Sequence, residues 1–290
     1  MNPIFSRTLK AFCSVLAAAL LSACGASHTV DPFVPTRIIG LGDAYNDTTS
    51  SIYTVRGTGT VESVVAQVAV WFGTPSSNVS SYAASGSNIS SLTAQISAAK
   101  SAVGGTFAAT DLIVVTAGTE DIKAANGAAN PTVAAEAAAD AFTLQIEQLI
   151  ADGAKHILIM QPLEFSLTPY AASLRGTYAL DLTTSPTAKF NAKVAGDLQR
   201  YVSRAGYSYN PVIFGGAGLS STFNDYVSRG VVGVFANSTA PICGSASTLT
   251  GCGPQSSDSN YLFADGVNLT PAGNRWVASY MFNATRQGWR

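Results

Sequence analysis

The chain is poor in charge and poorer still in histidine. Asp, Glu, Lys and Arg make up 11% of its 290 residues, under half of the roughly one quarter common in globular proteins. Lys plus Arg number 16 and Asp plus Glu 17, for a net charge of −1. With no basic surplus to neutralise phosphates, nucleic acid is not expected as a partner. No apolar run reaches the roughly 18 residues of a membrane-spanning helix. Only two histidines, His28 and His156, and four cysteines are present, which leaves little for a zinc site. What the chain does have is 47% hydrophobic residues. Low net charge with plentiful aromatic and branched residues excludes a disordered chain and is ample for a sizeable core.

Residues 1–23 read as an export signal: Arg7 and Lys10, then an apolar stretch from Ala11 to Leu21, too short to span a bilayer well. It ends Leu21-Ser22-Ala23-Cys24-Gly25. This resembles the lipobox of bacterial lipoproteins, which implies cleavage before Cys24 and acylation of that cysteine. Several acyl chains on one residue give a stable anchor. Gly25 lacks the Asp linked to inner-membrane retention, so the resemblance implies the outer membrane of a bacterial envelope. Residues 24–35 would then be a tether and 36–290 the folded domain. Cys13 leaves with the signal. Cys243 and Cys252, nine positions apart in a Ser/Thr/Gly-rich segment, remain as an even pair. In an exported protein such a pair reads as a disulfide, worth about 2–3 kcal/mol for so short a loop.

Strand-like runs alternate with helical spacing in the remainder. Arg37–Leu41, Asp111–Thr116 and Lys155–Met160 read as strands. Val61–Phe72, Asn130 to Gly153, Thr187–Ala205 and the segment from Thr270-Pro271 read as helices. Asn130-Pro131 has the form of a cap followed by proline at the first helical position. Residues 206–255 read as loop-rich, with no element clearly marked. This alternation predicts one α/β domain, a three-layer α/β/α sandwich around a parallel sheet. Ligands in such sheets bind beyond the carboxyl ends of the strands. Gly42-Asp43-Ala44, Gly118-Thr119-Glu120-Asp121 and Gln161-Pro162 stand there.

Those strand ends resemble the SGNH, or GDSL-type, esterase and lipase family. Gly42-Asp43-Ala44-Tyr45-Asn46-Asp47 is similar to its first block, GDSLSD, and Tyr82-Ala-Ala-Ser85-Gly86 to its second. Gly118-Thr119-Glu120-Asp121 falls where the family has GxND. Tyr261-Leu-Phe-Ala-Asp265-Gly-Val-Asn268-Leu-Thr-Pro271 is similar to its last block, YLFWDxxHPT. Met160-Gln-Pro162-Leu-Glu-Phe-Ser-Leu-Thr-Pro169 and Phe190-Asn191 match lesser segments. The resemblance spans nearly all of the chain after the signal. It implies a flavodoxin-like sandwich and, in active members, ester hydrolysis through an acyl-enzyme. A serine attacks, a histidine takes its proton, an aspartate orients the histidine, and Gly and Asn hold the oxyanion.

The sequence departs from that pattern where the chemistry lies. Ala44 stands at the nucleophile position and Asn268 at that of the base; a serine is a poor nucleophile without a base, and here both are replaced. Glu120 replaces the oxyanion Asn, an acceptor where a donor is needed. Gly86 is retained beside Ser85. Asp265 is retained as an orienter with nothing to orient, and Asn274 stands where relatives often have a second histidine. His28 falls in the tether and His156 opens a strand, so neither is expected at the site. Ser50 and Ser51 lie past the turn and read as surface residues. Asp43, Asp47, Glu120, Asp121 and Asp265 could converge, but four of these positions are acidic in metal-free relatives, so no metal and no cofactor are expected.

The expectation is therefore an SGNH/GDSL-fold pseudo-hydrolase. Its crevice, from Asp43, Ala44, Tyr45, Gly86, Gly118, Glu120 and Asn268, would bind an acyl chain, an acylated glycan or a protein partner. An active esterase with an atypical site and a structural envelope lipoprotein are the alternatives. An open, apolar-walled crevice over Ala44 favours a ligand; one filled by Tyr45 or Glu120 favours a scaffold.

Overall fold

A computed structural model describes residues 32–49, 62–174, 184–216, 218–229, 234–243 and 260–289. The signal, Cys24, His28, Ser50, Ser51 and Cys252 lie outside these. Residues 33–289 form one compact unit. Its elements are β1 (Arg37–Gly42), α1 (Val64–Phe72), β2 (Val79–Ser81), α2 (Leu92–Ala102), β3 (Asp111–Thr116), α3 (Thr119–Asn126), α4 (Pro131–Ala151), β4 (His156–Met160), α5 (Pro169–Ser173), α6 (Pro186–Ala205), β5 (Val212–Phe214), α7 (Leu219–Arg229), β6 (Asn237–Pro241), β7 (Tyr261–Phe263) and α8 (Pro271–Gly288).

Five strands form a parallel sheet in the order β2-β1-β3-β4-β5. Ile38 pairs with Val79 on one side and Leu112 on the other. Leu112 pairs with His156, and Ile157 with Val212. The chain reverses its winding between β1 and β3. In doubly wound sheets generally, the crevice outside the two strand ends at such a reversal is where ligands bind.

Successive side chains point to opposite faces of a strand, and the core divides accordingly. Ile39, Leu41, Ile113, Val115, Ile157 and Ile159 face α2, α4 and α6, which contribute Ile96, Phe142, Ile146, Phe190 and Val194. Ile38, Leu112, Val114, Leu158 and Met160 face α1, α7 and α8, with Val65, Val68, Phe223, Val277 and Met281. Strands buried on both faces explain the unbroken apolar runs of the sequence.

The helix ends follow local chemistry. Asn130 accepts a hydrogen bond from the Val133 N–H ahead of Pro131. Thr270 does the same for Gly273, and its hydroxyl also donates to the Tyr261 carbonyl at 2.7 Å. This fully buried threonine joins β7 to the start of α8. Thr270→Val keeps the shape but leaves a buried donor and acceptor unpaired, costing about 2–3 kcal/mol. A melting temperature lowered by ~5–10 °C is the expected reading.

The loop-rich segment 206–255, which shows no clear elements in the sequence, carries regular structure. Its described part holds β5, α7 and β6. Leu219, Phe223 and Val227, four apart, are the buried stripe of α7. The helix expected from Val61 starts, in its described part, at Val64. No described helix is long and apolar enough to cross a membrane.

Candidate functional site

The turn after β1 is held from several sides. Gly42 has φ 117°, and an added Cβ would lie 1.7 Å from the Thr116 carbonyl oxygen. That oxygen accepts from the Asp43 N–H at 2.7 Å. The Gln95 side chain clasps the Gly42 residue: its Oε1 accepts from the Gly42 N–H at 2.6 Å and its Nε2 donates to the Gly42 carbonyl at 2.9 Å. Asn46 donates to the carbonyls of Leu41 and Val114 and accepts from the Val65 N–H. Asp47 accepts from the backbone and hydroxyl of Thr49 through one oxygen and from the Ser85 N–H through the other. The turn thus aims its apex, Ala44, without any contribution from that residue's methyl group. Ala44 is only 6% exposed.

Asp43 is buried beneath this turn. Oδ1 accepts from the Tyr45 N–H at 3.2 Å. Oδ2 makes no hydrogen bond of ordinary geometry. Burial pushes the carboxyl from 3.8 up to about 7; the Thr116 and Thr119 hydroxyls and the Tyr45 N–H oppose the rise, and Glu120 adds to it. Tyr45 is 4% exposed, and its hydroxyl donates to the Val267 carbonyl at 3.1 Å. Burial first, and then the carboxylates of Asp43, Asp265 and Glu120, hold that phenol well above its ordinary range. Acidic residues of three separate blocks therefore act on one phenol.

In the last block, the expectation that Asp265 has nothing to orient is corrected. Its Oδ1 accepts from the N–H groups of Val267 and Asn268, and its Oδ2 from Asn268 Nδ2 at 2.9 Å. The asparagine amide supplies the N–H donor that a histidine ring would supply there, so the carboxylate keeps its partner. The opposite end of the amide is a carbonyl oxygen, which cannot take a proton near neutral pH. Asn274, fully buried, donates from Nδ2 to the Glu62 carbonyl.

Glu120 lies in the first turn of α3 and reaches Lys123 at 3.3 Å. Both are about a third exposed, so the pair contributes little. Asp121 accepts from the Ile89 N–H, and burial raises its carboxyl. Gly86 takes φ 77° in a turn closed by Ser87 N–H donating to the Ala84 carbonyl. Gly118 is buried under Phe190. Asp43, Asp47, Asp121 and Asp265 are each occupied by backbone N–H groups.

The cavity beside the turn is about 10 Å³, near the volume of one water. Tyr45, Thr119, Ile122, Leu163, Phe165, Thr168, Phe223, Phe263 and Val267 line it. Of the crevice residues expected from sequence, Tyr45 alone does so. Sequence reading missed Gln95, whose signal is a polar side chain between Leu92, Ile96 and Ala99 on the buried face of α2. It also missed the reach of Tyr45 to Val267. His156 opens β4, at the opposite end of the sheet, where its ring stacks on Phe33 at 3.6 Å. Cys243 donates its N–H to the Ala264 carbonyl; its proposed partner, Cys252, is outside the described residues.

The model of the family described as GDSL-like lipase/acylhydrolase matches residues 38–281. No curated protein sequence matches the chain. Among solved structures, a protein described as a GDSL-like lipase from Parabacteroides merdae superposes with a TM-score of 0.51 at 13% identity, over 87% of this chain and 97% of that one. A member of the lipolytic G-D-S-L family from Veillonella parvula gives 0.44 at 15% identity, over 87% and 96%. An acetylxylan esterase from Geobacillus stearothermophilus, solved as a catalytic mutant, gives 0.47 at 14%, over 89% and 96%.

Proposed function

The chain belongs to the GDSL-like lipase/acylhydrolase family, and from that premise we propose that it is a non-hydrolytic member, anchored through an acylated Cys24 in the bacterial outer membrane. The observation that carries the proposal is the frame around Ala44 and Asn268. The turn, its buried carboxyl and the Asp265–Asn268 hydrogen bond are all present. Yet a methyl group and an amide occupy the positions from which a nucleophile and a base would act. Losing the nucleophile alone in a well-studied serine protease costs about a millionfold in turnover.

The buried Tyr45 ring bears on what the protein does instead. With its hydroxyl on Val267 and a cavity of only about 10 Å³ beside it, an acyl chain or glycan would have to displace the ring. This supports a structural envelope lipoprotein, or one that binds a protein partner elsewhere on its surface, over one holding an acyl ligand above Ala44. Cys243 and Cys252 pair as a disulfide in this reading. The second reading, ester hydrolysis through an atypical site, draws on Asp43, whose carboxyl near 7 falls in the range of a general base. Against it, that carboxyl is buried and Ala44 offers it no nucleophile to activate.

The test is turnover of short and long acyl p-nitrophenyl esters by the purified full chain in detergent. Beside it stands a chain carrying Ala44→Ser, Glu120→Asn and Asn268→His. The natural chain is expected to match the buffer rate, with turnover rising at least ~100-fold in the substituted chain. Saturable turnover by the natural chain that survives stringent purification overturns the proposal.

A further inference from the structure

Outside the site, α1 is unusual. From Val64 to Phe72 it carries no charged residue, and part of its outer face is exposed. Val70 is 71% and Trp71 49% exposed. Trp71 stacks on Phe282 of α8 at 5.7 Å, and Phe282 meets Phe72 edge-on at 5.0 Å. Phe72 in turn meets Phe33 at 6.2 Å, and the next residue, Val34, is 64% exposed. Phe33 is the first residue of the compact unit. The apolar face therefore lies beside the point where the chain enters the domain.

We infer that this face, centred on Val70, Trp71 and Phe282, rests on the lipid surface to which the chain is anchored. The inference builds on the proposed acylation of Cys24. Only residues 25–32 separate that cysteine from Phe33, a reach of at most about 30 Å. A tether so short keeps Phe33 close to the headgroups, and the neighbouring face with it. Tryptophan suits that place, since its ring is apolar and its N–H can meet the polar headgroup layer. A cluster of exposed large apolar side chains marks an interaction surface. Here the length of the tether selects the bilayer as occupant. The patch is then a second attachment beside the acyl chains.

Tryptophan fluorescence tests this directly. The chain has three tryptophans; Trp276 and Trp289 are 8% and 5% exposed, leaving Trp71 as the one available to lipid. The full acylated chain is reconstituted into vesicles of phosphatidylcholine with or without bromine on the acyl chains, and acylation at Cys24 is read separately by mass. Bromine is expected to lower emission by roughly a third, the share of one tryptophan in three. Trp71→Phe removes the quenchable fraction. Val70→Asp, at an exposed position, abolishes quenching while acylation persists. An acylated chain whose Trp71 is untouched by brominated lipid overturns this inference and leaves the anchor standing. If that Trp71 is also shielded from acrylamide, a protein covers the face, which equally overturns it. A chain not acylated at Cys24 defeats the anchor and this inference together.

Discussion

Replacing Asp43 with asparagine is expected to make the protein more stable at pH 8, by about 4 kcal/mol relative to the difference at pH 4. The carboxyl titrates near 3.8 when exposed and near 7 in the fold, a separation worth about 4 kcal/mol. The native state binds the proton more tightly than the unfolded chain. Below about pH 4 both states are protonated and burial carries no charge penalty. As pH rises from 4 to 7 the unfolded chain ionises first and stability falls; above 7 the loss is complete. The substituted amide would remain neutral throughout. Its carbonyl oxygen can keep the Tyr45 N–H, and its amino group can donate to the Thr116 and Thr119 hydroxyls that act on the Asp43 carboxyl. Denaturant titrations of both proteins at pH 4, 6 and 8 measure the difference. A gap that stays constant across this range would show that Asp43 is not buried as described.

The second large effect is at Gly42. A φ of 117° already strains any residue with a side chain, and the added methyl would sit 1.7 Å from the Thr116 carbonyl oxygen. Backbone on both sides of the clash is fixed: β1 pairs with β3 through Gly42 and Thr116 themselves, and Gln95 grips both polar groups of Gly42. Gly42→Ala is expected to cost more than about 4 kcal/mol, a large share of a typical domain's stability. Little folded protein should be recovered. Gly86→Ala is the comparison. Its φ of 77° is also left-handed, but nothing lies within 4 Å of the added carbon, so the cost should be about 1–2 kcal/mol. A Gly42→Ala protein that melts within a few degrees of the natural one would refute the close approach of β1 and β3 at this turn.

The central strands were legible because each is buried on both faces and ends in turn residues: Ile38–Leu41 before Gly42-Asp43, Leu112–Val115 before Ala117-Gly118, and Ile157–Met160 before Pro162. Strand β2 was not legible. It is three residues, two of them serines, and makes its pairs only along one side of β1. In α7 the repeat of Leu219, Phe223 and Val227 is readable, but the glycines on either side obscured it. The same division holds at the site. Asp43, Asp47 and Asp265 each accept from the N–H two residues on, a contact that a short motif can carry. Gln95 grips a residue 53 positions away and Tyr45 one 222 positions away. No local pattern encodes such contacts, so a polar residue on an apolar helix face and a large ring beside Ala44 carried the only hints.

The placement of α8 also governs when the fold can form. The face of β1 and β3 that carries Ile38 and Val114 is covered by α1 and by α8. Helix α8 is fixed to the chain ahead of α1 by Asn274, and at its far end Trp289 donates to the Asn210 carbonyl and meets Phe33 edge-on at 5.5 Å. Of the described elements, β1 is made first and α8 after all the others. Until α8 emerges, one side of the sheet has no complete cover, and its branched side chains remain open to chaperones. Both faces of the sheet are thereby covered only once α8 is available, and a chain stopped before residue 271 leaves one layer incomplete, with α1 and α7 alone on that face.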